Sequence, residues 1–191
     1  MMIKNKTISI TGGTGFIGSK LVEQLINNNE IRILTRNNKL KNPKINYFNF
    51  DITNQNNDHK INKFVDGSDI LFNCASELYN ETKMERLHIK GTKNLIKACL
   101  GKNIKWIQLS SVGAFGFRKE AVINESTEED PINIYEKTKA KSDQLLKQSD
   151  INFTILRPSI VFGDGMKSNI FIELSKILRK QMFFYLNKNS M

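Results

Sequence analysis

Two cysteines in 191 residues, Cys74 and Cys99, are too few for a disulfide-built scaffold. Both fall in apolar segments and read as buried free thiols of a reducing compartment. His59 and His88 stand isolated, which excludes a metal site of ordinary ligand spacing. No segment approaches the roughly 18 consecutive apolar residues that span a bilayer. The glycine-rich stretch from Thr11 to Gly18 breaks the first apolar run, so no secretory leader is visible. The expectation is a cytoplasmic protein with no membrane partner. Acidic residues are also short, 19 against 29 Lys and Arg, for a net charge of +10. Such an excess can mean nucleic acid. Here, however, the lysines are scattered over helix faces with acids among them and are not interleaved with aromatics, so nucleic acid is not the expected partner. The field still favours a phosphate-bearing cofactor.

What is present alternates between two periods. Lys6–Thr11, Ile31–Thr35, Ile45–Asp51, Asp69–Ala75, Ile104–Ser110 and Asn152–Leu156 read as strands. Between and after them, Gly15–Asn28, Thr82–Lys102, Pro131–Gln148 and Met166–Lys180 read as helices. Asp130 would cap the third of these helices, with Pro131 in its first turn. Asn37–Lys44 reads as a loop, and Thr53–Lys63 as a short helix at most. The run Asp69–Ala75 is continuously apolar, as a strand covered on both faces requires. No internal repeat is present. Strands alternating with helices predict a doubly wound α/β fold, with ligands gathered at the carboxyl ends of its strands.

Three motifs sit at those ends. Thr11-Gly12-Gly13-Thr14-Gly15-Phe16-Ile17-Gly18 links the first strand to the first helix. It fits both Gly13-x-Gly15-x-x-Gly18 and the wider Gly12-x-x-Gly15-x-x-Gly18. Such a turn lets backbone approach a pyrophosphate at a helix start. Ser110-Ser111 closes the fifth strand and offers a hydroxyl to a substrate oxygen. Tyr135 and Lys139 are four apart on a helix and so share a face. An ammonium beside a phenol favours the phenolate, which makes Tyr135 a usable acid or base near neutral pH.

In this order the three motifs resemble the short-chain dehydrogenase/reductase superfamily. The form of the glycine turn, together with Arg157-Pro158-Ser159-Ile160-Val161-Phe162-Gly163, looks like its extended branch, the NAD-dependent epimerase/dehydratase family. The resemblance implies a Rossmann fold and a cofactor site made by Gly12, Gly15, Phe16, Ile17, Gly18, Asp51, Ile52, Ala75, Tyr135, Lys139 and Pro158. It implies Ser111, Tyr135 and Lys139 as the catalytic set, with Ser111 preferred over Ser110. The implied substrate is a nucleotide-linked sugar. A ketone reductase using NADPH and a non-catalytic dinucleotide-binding protein are the alternatives. A homodimer through Thr82–Lys102 and Pro131–Gln148 is a further implication.

This sequence departs from that pattern in three places. No acid follows the second strand; Arg36 stands there and could bond a 2′-phosphate, so the cofactor expectation leans to NADP over NAD. His88-Ile89-Lys90-Gly91-Thr92 carries histidine where the family has asparagine. The chain is also short for the branch. The expected organisation is therefore a dinucleotide-binding domain over 1–165 and, over 166–191, the start of an incomplete substrate-binding region. The latter includes a strand-like Phe183–Tyr185.

Overall fold

A computed structural model describes residues 3–36, 42–117, 122–166 and 169–180. It divides into two units, Met1–Ile160 and Val161–Met191. In the first, six strands form one parallel sheet: β1 (Thr7–Thr11), β2 (Glu30–Thr35), β3 (Ile45–Asn49), β4 (Ile70–Asn73), β5 (Lys105–Leu109) and β6 (Phe153–Leu156). Their spatial order is β3-β2-β1-β4-β5-β6. The order reverses between β1 and β4, where Ile8 pairs with Ile70 and Thr11 with Asn73. That reversal opens a crevice at the carboxyl edge of the sheet.

Side-chain alternation decides what each face receives. Ile8, Ile10, Ile31 and Ile33 point to one side and pack with Val22 and Leu25 of α1 (Phe16–Leu25). Leu71 and Trp106 point to the other. There they meet Ile61, Phe64 and Val65 of α2 (Asp58–Val65), and Leu95, Ala98 and Cys99 of α4 (Thr92–Cys99). Burying a side chain of this size contributes about 1.5–3 kcal/mol. These two apolar layers therefore hold the sheet edge rigid beneath the crevice.

Several sequence expectations are adjusted. Asp69–Ala75 is not uniformly apolar in its surroundings: only Ile70–Asn73 is strand, and its last residue is a buried asparagine. Asn73 is satisfied within a polar ladder on the α4 side of the sheet. Thr11 Oγ1 donates to Asn73 Oδ1 (2.5 Å), Asn73 Nδ2 to Gln108 Oε1 (2.9 Å), and Gln108 Nε2 to Ser142 Oγ (3.1 Å). The helix expected over 82–102 is broken into α3 (Glu81–Glu85), a π-helical turn Arg86–Gly91, and α4. It stops at Cys99, since Leu100 is extended and Gly101 has φ +73°.

The helix expected from Pro131 begins three residues later, as α5 (Ile134–Lys147). Asn133 rather than Asp130 caps it. Asn133 Oδ1 accepts from the Glu136 N–H (2.9 Å) while Glu136 Oε2 accepts from the Asn133 N–H (3.2 Å). This reciprocal pair satisfies two end groups at once, which a lone Asp130 could not. Over 53–63, a short 3₁₀ turn, Gln55–Asn57, leads into α2. In the second unit the described element is α6 (Asn169–Arg179), and Phe183–Tyr185 lies outside the described residues.

Candidate active site

The glycine turn is shaped by contact distances. Gly12 adopts φ +67°, and a Cβ there would sit 2.7 Å from the Cys74 carbonyl and the Ala75 nitrogen. At Gly18 it would sit 2.2 Å from the Gly12 carbonyl oxygen. Only hydrogen fits at either place, so β1, α1 and the end of β4 come together through bare backbone. Gly15 caps α1 in an extended conformation without a side-chain cap, after its own N–H donates to Gly12 O (2.9 Å). The N–H groups of the first turn, Phe16 and Ile17 included, have no acceptor within the helix and suit an anion. The donor set and the close backbone approach fit a pyrophosphate.

Around this turn lie the other expected contacts. Ala75 is half-buried, and its N–H donates to Thr11 Oγ1 (3.2 Å). Ile52 is buried, and its carbonyl accepts from Asn94 Nδ2 (2.7 Å). Burial pushes the Asp51 carboxyl up, but the backbone and side-chain hydrogen bonds of Thr53 and the charges of Arg36 and Arg86 outweigh it and hold it below the ordinary range. Arg36 is exposed. Arg86, in the π turn, donates to Thr53 Oγ1 (3.4 Å) and is a second cation at this end that sequence reading missed. No periodicity announces it, because the π turn sets where residue 86 faces.

On α5, Tyr135, Lys139 and Asp143 recur every four residues and line one face. Lys139 is 3% exposed, and its Nζ donates to the Leu109 carbonyl. Burial pulls the ammonium down to about 8, against the pull of Asp143 and Cys74. Tyr135 is half-buried, and burial pushes its phenol up, opposed by the hydroxyl of Ser76. The phenol therefore moves opposite to the lowering expected from Lys139, whose ammonium is engaged at Leu109 and has no part in the shift.

Ser110 and Ser111 have different surroundings. Ser110 is buried and donates to Asp143 Oδ2 (2.6 Å). Ser111 is half-buried, and its hydroxyl accepts from the Gly113 N–H (3.2 Å) at the start of a 3₁₀ turn, Val112–Phe115. Asp143 Oδ2 also accepts from Arg157 Nη2 (3.0 Å) and Nε (3.2 Å), while its Oδ1 has no hydrogen-bond partner. Arg157 further pairs with Glu129 and stacks over the Phe115 ring at 4.6 Å. Pro158, half-buried, follows at once, and its carbonyl accepts from the Val112 N–H (3.1 Å). The Asp143–Arg157 pair thus ties the end of β6 to the helix that carries Tyr135. The spacing Tyr135-x₃-Lys139-x₃-Asp143 could have revealed Asp143.

His88 lies in the π turn and is 3% exposed. Its Nε2 accepts from the Glu77 N–H (3.1 Å) and lies 3.1 Å from Ser76 Oγ; its Nδ1 lies 2.9 Å from Thr138 Oγ1. The ring meets Tyr135 edge-on, with centroids 5.8 Å apart. Burial drops its pKa to about 3, helped by Lys139 and opposed by Glu77. Cys74 and Cys99 are free thiols raised by burial to about 11 and about 12; Cys99 is buried and Cys74 half-buried. Among the described residues, no group of three or more His, Cys, Asp or Glu could hold a metal ion, and no helix is long and apolar enough to cross a membrane.

Strand order, glycine turn and crevice together define a Rossmann-type α/β fold. The sequence pattern of the NAD dependent epimerase/dehydratase family matches residues 8–188, and the chain belongs to that family. It is 30% identical over 196 residues to a putative UDP-glucose 4-epimerase of Methanocaldococcus jannaschii, covering 91% of this chain and 64% of the relative. It is 26% identical over 184 residues to an N-acetyl-alpha-D-glucosaminyl-diphospho-ditrans,octacis-undecaprenol 4-epimerase of Escherichia coli O157:H7, covering 91% and 54%. Among solved structures it is similar to the Bordetella bronchiseptica enzyme WbmG in complex with NAD, with a TM-score of 0.82 at 17% identity over 95% of this chain and 62% of that one. The chain thus spans between half and two thirds of the length of these relatives.

Proposed function

We propose that this chain is the dinucleotide-binding and catalytic part of an NAD(P)-dependent epimerase/dehydratase acting on a nucleotide-linked sugar. The observation that carries the reading is the glycine turn closed against Cys74–Ala75, on the same sheet edge as Ser111, Tyr135 and Lys139. Family membership and the activities named for the similar proteins support it.

When bound, the nicotinamide ring supplies a hydride acceptor and donor. Gly12, Gly15 and Gly18 admit the pyrophosphate, and the N–H groups of Phe16 and Ile17 bind it. Asp51 and Ile52 border the adenine, and Ala75 and Pro158 flank the path toward the reacting end. Tyr135 would take the proton of the sugar hydroxyl at the carbon that gives its hydride to the nicotinamide, and would return it on reversal. Ser111 holds the oxygen during that exchange. Lys139, one turn along the same helix face and held at the Leu109 carbonyl, would reach the ribose only on leaving that contact.

At the adenosine end, Arg36 and Arg86 flank Asp51 without a ribose-binding acid on β2, which supports NADP over NAD. The test is calorimetric titration of the purified chain with NAD and NADP in both redox states, followed by assays with nucleotide sugars. Binding of at least one nucleotide, tighter for NADP, is expected. Failure of both to bind overturns the reading; binding without turnover on any sugar favours a non-catalytic dinucleotide-binding protein.

A further inference from the structure

Glycine at position 113 is required by space and not by backbone shape. Its φ is not positive, unlike those of Gly12 and Gly116. A Cβ there would lie 2.8 Å from Glu136 Cγ, 3.0 Å from its Oε1 and 3.2 Å from its Cδ. A glutamate ordinarily yields to such a contact by turning away. Glu136 is held: its Oε2 accepts from the N–H groups of Ile132 (2.8 Å) and Asn133 (3.2 Å), while its own N–H donates to Asn133 Oδ1 (2.9 Å). It cannot leave Gly113 without uncapping α5. The same Gly113 donates its N–H to Ser111 Oγ (3.2 Å), which engages a lone pair of that hydroxyl and leaves its proton to donate elsewhere. On the other side of the turn, the Val112 N–H is bonded to the Pro158 carbonyl at the end of β6 (3.1 Å).

We propose that Glu136 is a positioning residue that sets Ser111 against Tyr135: one side chain caps the helix that carries Tyr135 and abuts, at Gly113, the turn that orients the Ser111 hydroxyl. The inference rests on Ser111 and Tyr135 acting together in the proposed reaction. Glu136 follows Tyr135 directly in the chain, so its cap fixes the backbone from which the phenol projects. Gly113 and Glu136 are a matched pair: a side chain at 113 and an intact cap on α5 exclude each other. A shorter side chain at 136 removes the surface against which the Ser111 turn rests.

Two substrate-free measurements and one of turnover test this. Glu136→Ala should speed amide exchange at Gly113 about tenfold and leave the Ile107 amide of β5 unchanged. Gly113→Ala should speed exchange at Ile132 and Asn133 and lower the folding equilibrium constant about fivefold, the worth of a helix cap. In the Glu136→Ala background, the same Gly113→Ala should lower it no further, because the atoms that it meets are gone. An equal loss in both backgrounds overturns the proposal, as does an unchanged Gly113 amide in Glu136→Ala. If Glu136→Ala does not fold, Gly113→Ala alone decides, and unchanged exchange at Ile132 and Asn133 overturns the proposal. In the sugar assay, Glu136→Ala should lower kcat about tenfold at unchanged nucleotide affinity, and Glu136→Gln, which keeps the chain length and an acceptor, should restore it. A loss of the same size in the Ser111→Ala background overturns the positioning role. Absence of turnover in the unaltered chain counts against the enzymatic reading alone, since exchange and folding need neither nucleotide nor sugar.

Discussion

The β1–α1 turn and the inward face of α5 stand on one sheet edge but are held by different forces. The turn is shaped by exclusion: at Gly12 and Gly18 any side-chain carbon would enter backbone atoms. The α5 face is shaped by attraction between groups distant in sequence, Ser110 with Asp143, Thr138 with His88 and Arg157 with Asp143. Exclusion tolerates no compromise and leaves a local signature. Attraction can be redistributed, so the α5 face can tune the proposed acid–base group without altering the fold.

The comparison is sharpened most by separating binding from chemistry. Tyr135→Phe removes one hydroxyl from the α5 face, and its expected result is a loss of about 10³-fold in turnover with nucleotide affinity retained. Steady-state rates and calorimetry on the same preparation check this, and turnover near wild type would remove Tyr135 from its role. Gly18→Ala attacks the turn instead. Its Cβ meets backbone rather than a mobile side chain, so we expect a loss of about 3 kcal/mol of folding stability, together with weaker nucleotide binding. Urea unfolding measures the former, and a cost below about 1 kcal/mol would show that the turn relaxes.

The third prediction concerns pH. The His88 pKa is depressed from 6.5 to about 3 in the folded chain. As pH falls below 6.5, the unfolded chain gains a proton that the folded chain refuses. The stability present above that point is therefore lost on acidification, by up to about 1.4 kcal/mol per pH unit until about pH 3. Unfolding curves at pH 7 and pH 5 should differ accordingly, and less so in His88→Asn; equal slopes in the two proteins would mean that His88 is protonated in the fold. The smallest effect is expected at the exposed rim. Arg36→Ala should weaken NADP binding about tenfold and leave NAD little changed, because a guanidinium on a phosphate is worth a charge-assisted hydrogen bond. Equal losses for the two nucleotides would assign Arg36 no part in the choice.

Much of the scaffold was legible in the residues. All six strands fall within a residue or two of their expected bounds, because a buried parallel strand needs a short apolar run and little else. The glycine turn was legible because steric exclusion leaves its mark on adjacent positions. Helix boundaries were less so. Asn133 and Glu136 outcompete Asp130-Pro131 by capping reciprocally, and the π turn over Arg86–Gly91 interrupts a pattern that looks evenly helical. On α5, the four-residue spacing placed Tyr135 and Lys139 on one face but could not say what each would touch. Lys139 reaches Leu109, the Tyr135 ring meets His88 edge-on, and burial moves the phenol opposite to the direction that spacing suggested.

By itself, then, the sequence determined the alternation of strands and helices, the glycine turn between β1 and α1, and the helix face that carries Tyr135 and Lys139. These follow from local periodicity and from the bare backbone of glycine. Only the tertiary structure decided the direction in which the phenol's pKa moves and the hydrogen bonds of the histidine beside it. Those depend on desolvation and on partners such as Ser76, His88 and Thr138, which the chain brings together from three separate segments.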